Sequence, residues 1–257
     1  MKKLAVCIAM VLVATGVHAK EWKNIRIGVD PTYAPFESKA PSGQLTGFDI
    51  ELGDAICAKM HAKCEWVEND FDGLIPALNV KKIDAIVSSL SITDKRKEQI
   101  AYSDKLFNSP SRMIAKAGSG LMPTVESLKG KRVGAEQGTI QETYIKTYWQ
   151  PKGVTLVPYQ NQDQVYSDLV AGRIDAAFQD ETQASIGFLK TARGKGFAFA
   201  GASIEDKKTL GEGTGVGLRK SDDDLRTQLN VAIKAIHADG TFDKIAKKYF
   251  DFNIYGH

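Results

Sequence analysis

Two short phrases occur twice in this chain, in the same order. RIGVD at residues 26–30 returns as RVGAE at 132–136, and KKIDAIVSS at 81–89 returns as GRIDAAFQD at 172–180. Each carries a short apolar run, the pattern of a strand buried on both faces. Such a duplication constrains the chain to two similar α/β units whose equivalent strands end in equivalent places. In open α/β sheets, ligands bind beyond the carboxyl ends of the strands. The aligned copies match Asp30 with Glu136 and Ser89 with Asp180, so four strand ends would bring three carboxylates to one cleft. A cleft of that kind suits a positively charged ligand.

The chain starts with Lys2 and Lys3, an apolar run over 4–14, and then Val17, His18 and Ala19. A charged segment, a short apolar core and a small-residue end predict a secretory signal cut after Ala19. The run is too short to cross a bilayer, which takes roughly 20 residues, and no later run is longer. A soluble exported protein is expected. Cys7 lies inside the apolar run and not at its end, which argues against a lipid anchor. Loss of residues 1–19 removes Lys2 and Lys3 and takes the formal charge from +3 to +1. That balance offers no electrostatic reason to expect nucleic acid as a partner. The remaining length suits one large domain or two lobes.

Cys57 and Cys64 remain after such a cut. In an exported protein an even pair reads as a disulfide, here closing a short loop between a helix end and the strand CEWVE. A metal site would need more ligands than His61, so no metal is expected.

Residues 25–30 read as the first strand, and 48–60 as a helix with acids early and a lysine late, which suits the helix dipole. Asp72 is placed to cap a helix through Pro76 and Leu78, leading into a strand at 83–87. Ser91 or Thr93 reads as the cap of a following helix. Residues 106–115 are strand-like, with Pro110 marking a crossing. The second copy then runs as a strand at 133–135, a tight loop at Gly138 and Thr139, and a helix over 140–149. A strand at 154–159, a helix at 161–171 and a strand at 174–178 follow. Glycines at 211, 213 and 215 suggest a second crossing, leading to a strand at 216–218. Ser221 starts a helix with Leu225, Leu229, Ala232, Ile233 and Ile236 on one face; Gly240 ends it and Thr241 caps the last one. The predicted fold is therefore α/β, with lobe I formed by 20–107 and 212–257, lobe II (108–211) inserted, and a two-strand hinge between them. That arrangement permits closure over a ligand.

A zwitterionic α-amino acid needs donors for its carboxylate and an acid for its ammonium. The planar fork of Arg96 suits the first task, helped by backbone amides near Ser91; Asp180 suits the second. Tyr33 and Phe71, in loops beside strands, are placed to flank a side chain. Asp30 and Glu136 would then meet a cationic tail.

Beyond these patterns, GFDIELGDAIC, DFDGLIPAL, KKIDAIVSSLSITDKR, YSDLVAGRIDAAFQDE and GTGVGLRK resemble the periplasmic polar amino-acid-binding proteins of ABC importers. The likeness spans the whole predicted mature chain and points towards the lysine/arginine/ornithine- and histidine-binding members. It implies the two-lobed type II binding-protein fold, a periplasmic location, a basic L-amino acid as ligand, a membrane-embedded ABC permease as partner and a monomer. It implies no cofactor. By the same likeness the ligand carboxylate meets Arg96 and the backbone amides of Ser91 and the Thr139–Ile140 turn. The ammonium meets Asp180, the Ser91 hydroxyl and the Ser89 carbonyl. Tyr33 and Phe71 flank the side chain, with Leu90 in the same segment, and Asp30 and Ser88 take its polar tip. A Cys57–Cys64 disulfide is implied as well.

Two positions depart from the pattern. Glu136 stands where close members carry an apolar residue, and Ile140 where they carry a second Thr or Ser. An extra buried acid is unfavourable unless paired, so Glu136 is expected to favour arginine, lysine or ornithine over neutral histidine. A dehydratase of the cyclohexadienyl type on the same fold is the competing reading. It is disfavoured because His61, His237 and His257 offer no obvious base in the cleft and no nucleophile elbow is present. GEGTGVG lacks the spacing of a dinucleotide loop.

Overall fold

The computed structural model describes residues 22–256, so the expected signal and its cleavage site lie outside the described residues. The duplicated phrases occupy equivalent places in two five-stranded sheets. The first runs Lys63–Glu68, Asn24–Val29, Ala85–Ile86, Thr214–Leu218, Ala101–Phe107. The second runs Thr155–Tyr159, Arg132–Glu136, Ala176–Asp180, Ser111–Lys116, Phe197–Phe199. In both, the first three strands are parallel and the fourth is antiparallel to its two neighbours.

The repeated letters have repeated jobs. Arg26 forks onto Asp84 with Nε and Nη2 at 2.8 and 2.9 Å, while its own amide donates to the same carboxylate. Arg132 does the same to Asp175, at 3.1 and 3.0 Å. Each pair clips two parallel strands together at the end away from the cleft, with the bidentate geometry that favours arginine. The glycine of each phrase lets an isoleucine through: a Cβ on Gly28 would lie 2.4 Å from Ile83 Cδ1, and one on Gly134 2.5 Å from Ile174 Cδ1. Register agrees too, with Gly28 opposite Ile86 and Gly134 opposite Ala177.

Both sheets are covered on both faces. Helices Phe48–Lys59, Asp223–Ala238 and Thr241–Tyr249 cover one face of the first, around Phe36, Phe48, Phe107 and Phe250. Helix Leu74–Asn79 covers the other, with Leu74, Leu78, Ile83, Ile86 and Leu90. The second sheet has its own two clusters, centred on Trp149 with Phe178 and on Tyr166 with Phe188. Two lobes therefore have separate cores, and the chain passes between them twice. It leaves the first sheet after Phe107 and enters the second at Ser111, then returns to the first at Thr214. Cys57 and Cys64 are disulfide-bonded.

Several local expectations are corrected. Asp72 lies inside a single turn, Phe71–Gly73, and caps nothing; the helix after it is Leu74–Asn79. Of Ser91 and Thr93, Thr93 is the cap, accepting from Arg96 N. Residues 106–115 are the end of one strand and most of another, separated by residues 108–110 around Pro110. The helix from Ile140 changes at Ile145 to a π-helical stretch, Ile145–Trp149. Ser221 precedes the long helix without capping it, and its hydroxyl goes to Asp222. The last helix is preceded by Gly240 in the left-handed region, φ 77°, so Thr241 is its first residue and not its cap. The strand at 83–87 keeps only Ala85–Ile86 in ladder pairing.

Candidate functional site

Arg96 is positioned by local rules. Thr93 caps its helix through the Arg96 amide, and the side chain turns back to donate to Ser91 O (Nη1, 3.0 Å). Nη2 donates to Gly138 O at 3.0 Å, on the opposite lobe. The guanidinium also lies 5.4 Å from the centre of the Phe71 ring, a cation–π contact. Asp180 ends its strand in the second lobe and receives Gln141 Nε2 at 2.8 Å, while its own amide donates to Tyr33 Oη across the cleft.

Asp30 follows the first strand. Thr32 N, Thr32 Oγ1 and Phe71 N all donate to its carboxylate, at 3.0, 2.7 and 3.0 Å. Glu136, at the equivalent strand end of the second lobe, lines the same cavity as Asp30, and the two carboxyls feel each other's charge. It is 2 % exposed, and its Oε2 has no donor among the described residues. Thr139 caps the next helix through Glu142 N and donates its hydroxyl to Glu136 O at 2.7 Å.

All of the expected residues except Leu90 line one cavity between the lobes, and Glu37 and Gln141 join them. Leu90 is buried in the first lobe's core instead, so only its backbone neighbours reach the cleft. Larger depressions elsewhere, such as the groove of about 1770 Å³ along the back of the crossings near Lys105 and Asp206, are open to solvent. Charges enclosed away from water make the smaller cavity the functional candidate. His61 and His237 do not line it; His237 stacks on Phe242 at 4.3 Å.

Sequence reasoning missed Glu37, Asp49 and Gln141. Asp49 was expected to serve the helix dipole, but it is 1 % exposed and accepts Ser89 N at 2.6 Å. It holds Ser89 in the left-handed region, φ 48°, where a non-glycine residue is strained. Glu37 receives Ser88 Oγ at 2.9 Å. The only hint in the sequence was an acid directly beside the apolar pairs Pro35-Phe36 and Gly47-Phe48.

The electrostatics are lopsided. Asp30, Glu37, Asp49, Glu136 and Asp180 are all buried, and Arg96 is the one base among the described lining residues. Burial pushes the Asp180 and Asp49 carboxyls up to about 7, although Gln141 and Ser89 donate to them. Burial, then the charge of Asp30, holds Glu136 well above the usual carboxylate range. Glu37 is raised by burial and by Asp49, and Asp30 by burial against its hydrogen bonds. Burial lowers Arg96. Such a site is arranged to receive positive charge, and it lets backbone amides and one guanidinium receive negative charge at one end.

Fold and site together define a two-lobed solute-binding protein of the type II architecture. Residues 25–252 match the family of bacterial extracellular solute-binding proteins, family 3, and the chain belongs to that family. It is 56 % identical to the histidine-binding periplasmic protein of Escherichia coli (strain K12) over 259 residues, covering 100 % of both chains. The lysine/arginine/ornithine-binding periplasmic protein of the same strain is also 56 % identical, again over 100 % of both. An ancestral arginine-binding protein solved with arginine superimposes with a TM-score of 0.83 at 34 % identity, over 90 % of this chain and 100 % of that one. These relatives are binding proteins and not enzymes.

Proposed function

We propose that the protein is a periplasmic receptor that binds arginine, lysine or ornithine, and histidine less well, between its lobes and delivers it to a membrane-embedded ABC permease. The observation that carries the reading is the excess of buried carboxyl groups over the single buried arginine at the cavity between the lobes. A ligand with a cationic side chain, in addition to its ammonium, offsets part of that excess. The lysine/arginine/ornithine-binding relative supports this ligand class, and the equally similar histidine-binding relative supports histidine as a further ligand.

In this reading Arg96 and the amides of Ser91, Thr139 and Ile140 hold the ligand carboxylate, and Asp180 with the Ser91 hydroxyl and Ser89 carbonyl holds the ammonium. Tyr33 and Phe71 flank the aliphatic stem. Asp30, Ser88 and Glu136 face the tail. Lobe I (20–107 and 212–257) and lobe II (108–211) close on the ligand about the two crossings, and the permease reads the closed shape that ligand stabilises. The chain acts as a monomer, is exported by residues 1–19 and needs no cofactor.

Calorimetric titration of the purified protein, stripped of carried-over ligand, with arginine, lysine, ornithine, histidine and glutamine tests the proposal. The cationic three should bind most tightly. Glutamine binding as tightly as arginine would remove the charge argument, and no binding by any of them would remove the receptor reading.

A further inference from the structure

The Ser88 hydroxyl is engaged by two groups of its own lobe. Its oxygen receives the Asp30 amide at 3.0 Å, and it reaches Glu37 Oε1 at 2.9 Å. A serine hydroxyl has one proton to give and two lone pairs to receive with. A backbone amide only donates, so the Asp30 contact takes one lone pair. A carboxylate oxygen accepts, so the Glu37 contact takes the proton. A proton on Oε2, the oxygen turned towards the Ser89 hydroxyl at 3.4 Å, leaves Oε1 an acceptor. One Ser88 lone pair therefore remains for the cavity that Ser88 lines.

Glu37 is held in place by the first lobe's own packing. Its strand, Glu37–Lys39, pairs with Thr32–Tyr33, with Glu37 opposite Tyr33. Phe36 beside it is buried and stacks on Phe107 at 5.0 Å. Gly47 brings the start of the next helix against the same segment, since a Cβ there would lie 2.2 Å from Phe36 O. Glu37 itself is buried. Burying an acid against hydroxyl groups is an unfavourable way to brace a strand. What it supplies beyond bracing is a fixed direction for the Ser88 proton.

We infer that Glu37 is a specificity-determining residue: by taking the Ser88 proton it makes Ser88 a pure acceptor, so the cavity favours side-chain tails that present N–H over tails that present a carbonyl oxygen. Guanidinium and ammonium tails only donate, and a neutral imidazole donates through one ring N–H. A urea tail has a carbonyl oxygen where a guanidinium has a third nitrogen. Asp30, which accepts from Thr32 and Phe71, and Ser88 offer that oxygen no hydrogen bond. A site built to accept from its ligand discriminates strongly against a ligand that cannot donate there, because its own polar groups are left unpaired. This inference rests on the proposed function, in which Ser88 faces the tail. Because Asp30, Glu37 and Ser88 all belong to lobe I, the selection is set before the lobes close.

The test is calorimetry with arginine and with citrulline, its urea analogue, on the ligand-stripped native protein, Glu37→Met, Ser88→Ala and the double variant. Methionine matches the length of glutamate without its polar end. Freed from Glu37, the Ser88 proton can turn to the ligand, so Glu37→Met should cut the preference for arginine over citrulline by about tenfold. Made on top of Ser88→Ala, the same substitution should change the preference far less. An equal drop in both backgrounds would mean that Glu37 acts by its charge alone, and no drop in either that it only braces the strand; each overturns the inference and leaves the receptor reading intact. Where citrulline binds too weakly to measure, arginine affinity across the same four proteins gives the same comparison. Should Glu37→Met fail to fold, Ser88→Ala decides, since loss of a pure acceptor should weaken arginine and spare citrulline, and equal weakening of both overturns the inference. Absence of arginine binding to the native protein overturns the receptor reading as well.

Discussion

Gly187 on the second lobe lies against the backbone carbonyl of Ala34 on the first: a Cβ at position 187 would sit 2.3 Å from that oxygen. Gly138 makes a similar approach, with a Cβ falling 2.9 Å from Asp72 Cα. The lobes therefore meet backbone to backbone at two points flanking the cavity, and Gln160 Nε2 donates to Asp70 Oδ2 at the rim. These contacts exist only when the lobes are closed.

Gly187→Leu should hold the lobes apart without touching the candidate ligand residues. Overpacking of this sort is worth about 1–3 kcal/mol, so arginine affinity should fall by roughly tenfold or more. Small-angle scattering should show less compaction on adding arginine. Native affinity and native compaction in this variant would mean that the contact plays no part in closure.

Glu136→Leu should lower arginine and lysine affinity by about 2 kcal/mol, the scale of a charge-assisted hydrogen bond, and leave histidine at neutral pH less affected. Competition calorimetry gives the ranking directly. An unchanged order of arginine, lysine and histidine would show that Glu136 does not select the tail.

Asp180→Asn should behave differently. Losing the partner of the ligand ammonium should weaken every α-amino acid by a similar amount, on the order of 2–5 kcal/mol, with the ranking kept. A loss confined to cationic ligands would assign Asp180 to the tail instead.

Ligand-free stability should fall as pH rises from about 4 to about 7. Asp49 and Asp180 are held at about 7 in the folded protein, against about 3.9 for an unfolded aspartate. Their folded pKa is raised, so their contribution is fully present below the unfolded value and is lost as pH passes the folded one. Glu37 and Glu136 act in the same direction. His237, lowered by burial, opposes them, and Asp84, Asp168, Asp175 and Asp239, held below the usual carboxylate range, oppose them at the acid end of this window. Thermal melts without ligand should give a higher Tm at pH 5 than at pH 8, and Asp180→Asn should reduce the gap. A Tm that climbs from pH 5 to 8 would contradict the assignment.

The Cys57–Cys64 bridge closes a loop with a sequence separation of 7. Loop-closure entropy for so short a loop is worth about 2 kcal/mol. The double variant Cys57→Ser with Cys64→Ser should melt several degrees lower while keeping the same order of ligands by calorimetry. A changed order would tie the bridge to the site.

Much of this molecule is legible in its sequence. The duplicated phrases predicted two α/β units, and the reason is now visible in the matched Arg26–Asp84 and Arg132–Asp175 clips and in Gly28 and Gly134 making room for Ile83 and Ile174. Strand periodicity, the cap at Thr93 and the apolar face from Leu225 to Ile236 are local signals, written in neighbouring residues. Other features were not local. Asp49 looked like a helix-dipole acid because its helix is all that its neighbours describe; its burial against Ser89 depends on a strand end 40 residues away. Glu37 and Gln141 join the cavity for the same reason, through Ser88 and Asp180. Sequence alone determined the two α/β units, the positions of their strand ends and the residue types gathered there, since those follow from short-range pattern and repetition. The tertiary structure alone decided which of those acids lose contact with water and which face each other, because burial and the approach of Glu136 to Asp30 are set by how two separately built lobes close.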